Sequence, residues 1–135
     1  METQFRADLL AWLAGDAELA AGLNAIAEEA PRVFSGAASP PWLGIAASAS
    51  SDWGAKGAPG REVRVALELV AREDEPEAVA ALTGALERRV ATMLAAQAGY
   101  RIVLTQFLRS RAERRAGNLR AVLTEWRFLI LTEPD

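Results

Sequence analysis

Cysteine and histidine are both absent from this 135-residue chain, and each absence removes a class of chemistry. Without thiols there is neither a disulfide framework nor a thiolate metal site. Without imidazole the commonest general base is missing, together with the Ser-His-Asp and Cys-His nucleophile arrangements and the commonest zinc ligand. Long apolar runs are missing too. No window reaches the roughly 18 apolar residues that span a bilayer, so no membrane partner is expected. The N-terminal METQFRADLLAWLAG carries acidic residues inside its apolar spacing; it does not read as a signal peptide, and the expected compartment is the cytoplasm. Lysine is nearly absent, with Lys56 alone against 14 arginines. That bias, with abundant alanine, fits a GC-rich genome and carries little functional weight. A net charge of −3 and a pI near 5.1 argue against nucleic-acid binding by the global field, which normally requires a basic surface.

What is present reads as a folded chain. With 51% hydrophobic and 24% charged residues, the composition is that of a globular protein, and the length suits one domain over residues 1–135. The clearest element is Arg61 to Ala71. Val63, Val65, Leu67 and Leu69 alternate with Glu62, Arg64 and Glu68, which puts an apolar and a polar face on one strand. Before it, Ser48 to Gly60 is rich in Gly and Ser and reads as the longest loop, with Trp53 its one large apolar residue; loops of about a dozen residues are usually functional or disordered.

The other elements follow in order. Phe5, Leu9, Trp12 and Leu13 recur at helical spacing over Glu2 to Ala14, with Gly15 as the stop. Asp16 is placed to cap a short second helix through Leu19 and Leu23, extending to Ile26. Arg32 to Ser35 is short enough to be only an edge strand, and Trp42 to Ser48, with Gly44 inside, reads as a second strand. At Arg72 the period changes. Glu73, Asp74, Glu75 and Glu77 surround Pro76, a helix start, and Val79, Leu82, Leu86, Val90, Met93 and Leu94 carry the apolar stripe to about Gln97, with Gly99 as the stop. Gly84, costly in a helix interior, suggests a close contact there. Tyr100 to Ser110 is a strand with Ile102, Leu104 and Gln106 on one face and Val103, Thr105 and Phe107 on the other. Arg111 to Asn118 is a charged turn, and Leu119 to Thr132 is the last strand, with Val122, Trp126, Phe128 and Ile130 on its apolar face. The expected fold is α+β: a mainly antiparallel sheet of four or five strands, a long helix packed on one face and an N-terminal helix, in the order α-α-β-β-β-α-β-β.

Several constellations carry candidate chemistry. Asp52-Trp53-Gly54-Ala55-Lys56 sits in the loop, where a tryptophan is either an interface anchor or folded back on its own sheet. Arg109, Arg111, Arg114 and Arg115 form the one strongly basic cluster, suited to salt bridges with a partner or neighbouring subunit, or simply a solvated hairpin tip. The carboxylates at Glu73 to Glu77 are explained by helix capping and the helix dipole without a bound metal. Ser50, Ser51 and Lys56 make a nominal Ser-Lys pair with no framing motif. No cofactor, metal or catalytic residue is expected. The long-helix stripe and Trp12 read as core, and Trp126 as core or subunit interface.

The run of motifs resembles a family. An N-terminal helix is followed by Arg32-Val33-Phe34, Pro40-Pro41-Trp42-Leu43-Gly44, Asp52-Trp53-Gly54-Ala55-Lys56, a strand preceded by Gly-Arg-Glu, a long helix, and Arg127-Phe128 before Thr132-Glu133. This order and spacing is similar to that of the tailed-phage tail-completion family, related in fold to siphophage tail terminators and found also in gene transfer agents. Where that family often has tyrosine and valine after the paired prolines, this chain has Trp42-Leu43. The resemblance implies a non-enzymatic homohexameric ring that caps the tail tube, meets the tube protein on one side and a head-completion or stopper protein on the other, and lets DNA pass without specific binding. It implies a location in the tail of a virion or phage-like particle assembled in the bacterial cytoplasm. The interface residues would be Asp52, Trp53, Lys56, Arg111, Arg114 and Arg115. The alternatives are a stopper or tail-tube protein of the same particle, or a small carboxylate-dependent enzyme, which needs a concave pocket with perturbed carboxylates.

Overall fold

A computed structural model describes residues 1–28, 39–54 and 57–133. The expected strand at Arg32 to Ser35, and Lys56, lie outside the described residues. Helix α1, Glu2–Ala14, forms over the predicted span and buries Phe5, Leu9 and Leu13. Helix α2, Ala17–Gly22, is capped by Asp16, whose carboxylate accepts from the Leu19 N–H at 3.0 Å. It ends earlier than expected. Leu23 is already extended, and Ile26 belongs to a two-residue strand, β1 (Ala25–Ile26), rather than to the helix.

Strands β2 (Trp42–Asp52), β3 (Gly60–Arg72), β4 (Ala96–Gln97), β5 (Tyr100–Arg115) and β6 (Leu119–Thr132) complete the set. The six strands form a single sheet in the order β1-β2-β3-β6-β5-β4. It is mixed rather than wholly antiparallel, because β1 runs parallel to β2 while the remaining pairs are antiparallel. The two short strands were not expected, since two residues carry no periodicity to read.

Three expected boundaries move, each for a physical reason. The Ser48 to Gly60 stretch is not one long loop: Ser48 to Asp52 continue β2 by pairing with Val65 to Arg61. The ladder offered by β3 outweighs the weak strand propensity of Ala and Ser. Helix α3, Pro76–Ala91, stops short of Gln97. Thr92 ends it, its hydroxyl donating to the Arg88 and Arg89 carbonyls at 3.1 Å. Gly99 instead makes the β4–β5 turn in the left-handed region, φ +87°. Strand β5 runs on to Arg115, so Arg111, Arg114 and Arg115 stand on a strand; the turn is only Ala116, Gly117 and Asn118, the last two at φ +80° and +61°.

Both α1 and α3 cover one face of the sheet. Val63, Val65, Leu67 and Leu69 of β3 and Trp126, Phe128 and Ile130 of β6 meet Phe5, Leu9, Leu82, Leu86 and Val90 there. Phe5 packs tilted against Phe128, ring centroids 4.6 Å apart, and edge-on to Tyr100. The Tyr100 hydroxyl donates to Asp8 at 2.6 Å; burial and the Asp8 carboxylate together push its ionisation far above the ordinary tyrosine range. Trp12 is not plain core. It lies half-buried in the seam between helices, its indole N–H donating to the Arg89 carbonyl at 2.7 Å while Arg89 Nε donates to the Trp12 carbonyl at 2.8 Å. The Arg89 guanidinium sits 3.4 Å over the indole ring. The close approach expected at Gly84 occurs at Gly22, where a Cβ would stand 2.6 Å from Leu82; at Gly84 it would meet only the Arg88 guanidinium, at 3.2 Å. A smaller cluster, Trp42, Val70, Ala121 and Leu123, lies apart from this core, on alternate positions of the same strands.

Candidate functional site

Strand β5 does not alternate as expected. Its pairing with β6 slips between Ile102 and Leu104 and again between Phe107 and Arg109, so Val103 and Leu108 are inserted residues at β-bulges. The first bulge reverses the faces. Ile102 lies on the helix-covered face opposite Ile130, Leu104 on the other face opposite Leu129, and Phe107 on the covered face opposite Trp126. The expected grouping of Leu104 with Ile102 is therefore corrected. Adjacent apolar pairs, Val103-Leu104 and Phe107-Leu108, were the signal for it, because a regular half-buried strand has no use for two neighbouring apolar residues. Val103 is 50% exposed, Phe107 45%, Leu108 38% and Leu104 36%. Phe107 meets the core edge-on at Trp126, with ring centroids 5.2 Å apart.

The face away from the helices carries a lattice of ion pairs. Arg115 donates to Glu68 at 2.8 Å and to Glu113 at 2.6 Å, Arg111 lies 3.8 Å from Glu113, and Arg127 donates to Glu62 at 3.0 Å. Arg109 pairs with Glu125. These guanidinium groups hold Glu113, Glu125 and Glu62 below the ordinary carboxylate range, in each case chiefly through the hydrogen bond from Arg115, Arg109 and Arg64 respectively. The arginines read from sequence as a solvated tip or partner contact are thus matched within the chain. Arg114, 87% exposed at its side chain, lies 3.6 Å from Glu73, which also meets Arg120 at 3.4 Å. Glu73 is therefore explained by arginine pairing rather than capping, and Glu75, at the cap position of α3, makes no side-chain cap bond.

Asp52 closes β2 opposite Arg61 and is exposed; Trp53 follows it half-buried, its N–H donating to the Gly60 carbonyl at 3.0 Å. The sites read from sequence therefore do not converge. Asp52 and Trp53 lie at the end of β2, while Arg111, Arg114 and Arg115 lie at the far end of β5. A network absent from the sequence reading joins α1 to β2: Arg6 donates to Glu2, Glu28 and Ser48 at 2.9, 2.6 and 3.0 Å, and the Ser48 hydroxyl donates to Glu2 at 2.6 Å. The Ser48 bond, seconded by Ser50, lowers the Glu2 carboxyl below its ordinary value of 4.5. Among the described residues no group of three or more acidic side chains could hold a metal ion, and no helix is long and apolar enough to cross a membrane.

The sheet thus has exposed apolar residues at one edge, ion pairs on one face and helices packed on the other. The family described as Tail completion protein gp17 matches residues 7–131, and the chain belongs to it. Its role is structural, in a phage-type tail. A chain of the solved virion of a native gene transfer agent (GTA) particle has the same fold, with a TM-score of 0.77 and 20% identity over 93% of each chain. Comparison with the curated proteins gives no match.

Proposed function

We propose that this chain is a non-enzymatic tail terminator that acts as one domain in a homohexameric ring. The ring caps the tail tube, stops its growth and joins it to the head-side stopper protein, and DNA passes through without specific binding. Assembly takes place in the bacterial cytoplasm. The observation that carries this reading is the family match over residues 7–131. The fold shared with a chain of a gene transfer agent virion supports it. The work is geometric: one face of the ring matches the last ring of the tube, and the other no longer templates a tube subunit. Heterologous contacts close into a ring when the rotation between subunits closes.

The interface reading of Asp52, Trp53, Lys56, Arg111, Arg114 and Arg115 belongs to this proposal. Trp53, half-buried in the isolated chain, anchors against a neighbour. Trp53→Ala should lower ring yield by more than tenfold, a cost of about 2 kcal/mol or more, while the melting temperature of the isolated chain changes little. A large melting shift with unchanged assembly would assign the indole to its own subunit. The decisive experiment is electron microscopy of particles made without this protein. Overlong or headless tails are expected, and tails of normal length joined to heads would sink the assignment.

A further inference from the structure

Among the described residues the sheet has two open edges, and they are level with one another. On one side β1 covers only Trp42 and Leu43 of β2, with backbone bonds reaching Ile45; among the described residues nothing pairs with that side of Ala46 to Asp52. On the other side β4 covers only Tyr100 and Arg101, with one more bond to Ile102; among the described residues nothing pairs with the rest of that edge of β5. Following the pairings across the sheet gives rows. Asp52 lies level with Arg61, Ile130 and Ile102; Ser50 with Val63, Phe128 and Thr105; Ser48 with Val65, Trp126 and Phe107; Ala47 with Ala66, Glu125 and Arg109. The open part of β2 therefore spans the same height as Ile102 to Arg109, the stretch that holds Val103, Leu104, Phe107 and Leu108. The covered part of β2 spans the height of Ala112 and Glu113 on β5.

We infer that the ring closes by strand addition: β5 of one copy, over residues 102–109, pairs antiparallel with β2, over residues 46–52, of the next. The orientation follows from topology. β2 to β3, β3 to β6 and β6 to β5 are three successive reversals, so β5 runs opposite to β2, and a copy rotated about an axis along the strands presents its β2 antiparallel to the first copy's β5. With no stagger, like faces meet: Ser48 of one copy falls beside Phe107 of the other on the helix-covered face, and Ala49 beside Gln106 on the charged face. Ala46, Ala47, Ala49 and Ser50 are small and exposed, so they leave room for the larger side chains of β5. Asp52 comes level with Ile102, beside the exposed guanidinium of Arg101. Pairing β5 with a second β5 would instead align two arginine-rich strands and leave both β2 edges open. The bulges at Val103 and Leu108 twist this edge, a feature that discourages indiscriminate strand addition.

This inference rests on the ring reading above, and the test separates the two. The chain has no cysteine, so any link between two copies must join the introduced thiols. Particles are assembled with the Ser50→Cys/Thr105→Cys chain, oxidised, and run on non-reducing gels. A ladder of linked chains rising to the full ring is expected. Mixed single variants should stop at dimers, and either single variant alone should give none. With Ser50→Cys held fixed, linkage should be strongest with Thr105→Cys and at least tenfold weaker with Arg111→Cys. Protein present in particles without inter-chain links, links from one single variant alone, or a maximum at Arg111 would each overturn strand addition while leaving the tail assignment intact. Links in the purified oligomer with no protein in particles would overturn the tail assignment instead. As a second measurement, Phe107→Glu/Leu108→Glu should abolish oligomers while keeping the melting curve of the isolated chain. Retained oligomers would count against the edge.

Discussion

Strands β5 and β6 lie side by side along nearly their whole length, yet they live in different solvents. β6 has ladders on both sides and buries Ala121 to Thr124, Trp126 and Phe128 to Ile130. β5 buries only Tyr100 and Ile102. Composition makes part of the difference, because β5 carries five arginines and a glutamate against two arginines and a glutamate on β6. Position makes the rest: β6 sits between β3 and β5, whereas among the described residues β5 has an open edge along most of its length. An apolar residue on β6 stabilises the monomer. One on β5, such as Val103 or Phe107, stays exposed to solvent in this chain.

Substitutions can break or sharpen this contrast. The largest effect should come from Phe128→Ala, which empties a fully buried site against Phe5 and should cost about 3–5 kcal/mol in denaturant unfolding. Phe107→Ala, two rows away on β5, should cost less than about 1 kcal/mol in the same assay, because the residue is already 45% exposed. Equal losses would erase the distinction between the strands. Next is Gly60→Ala, where a Cβ would stand 2.7 Å from the Ile130 carbonyl oxygen and 3.0 Å from that of Trp53. These are backbone atoms that cannot swing aside, and overpacking of about 1–3 kcal/mol is expected. Arg89→Met removes the guanidinium over Trp12 and its bond to the Trp12 carbonyl. A loss of about 1–2 kcal/mol and a red shift of tryptophan emission are expected.

The smallest effect concerns the open edge of β2. Because Glu2 has its carboxyl lowered by Ser48 and Ser50, its contribution is present above its ordinary value of 4.5 and is lost as pH falls through the lower folded value. Glu2→Gln should therefore be less stable than the parent near neutral pH, by no more than about 1 kcal/mol. The two unfolding curves should converge in acid. A constant gap down to pH 2 would show that charge is not the cause.

Much of the fold was legible in the residues. The alternation of β3 and the stripe of α1 each name their own element, and Pro76 among carboxylates marks the start of α3. Elements whose identity depends on a neighbour were not legible. Ser48 to Asp52 look like a loop in isolation and become strand only because β3 offers a partner. Arg111 to Arg115 look like a turn for the same reason, although Gly117-Asn118 already marked the reversal. The candidate interface was half legible. Trp53 and the arginines stand out by residue type, whereas the open edges depend on which strands end up outermost, a property of the whole sheet that no local window contains.

The position of β6 in the sheet also bears on how the chain is made. It is the last strand in sequence, yet it is inserted between β3 and β5, and its Phe128 is the residue on which Phe5 of the first helix rests. Until β6 arrives, β3 and β5 each show an unpaired side and α1 has an incomplete surface to dock on. Synthesis therefore cannot finish the domain piecemeal from its N-terminus. Folding waits for contacts far apart in sequence, as expected for chains that fold in milliseconds to seconds rather than microseconds. During that interval the growing chain exposes the edges of β3 and β5 that β6 later covers.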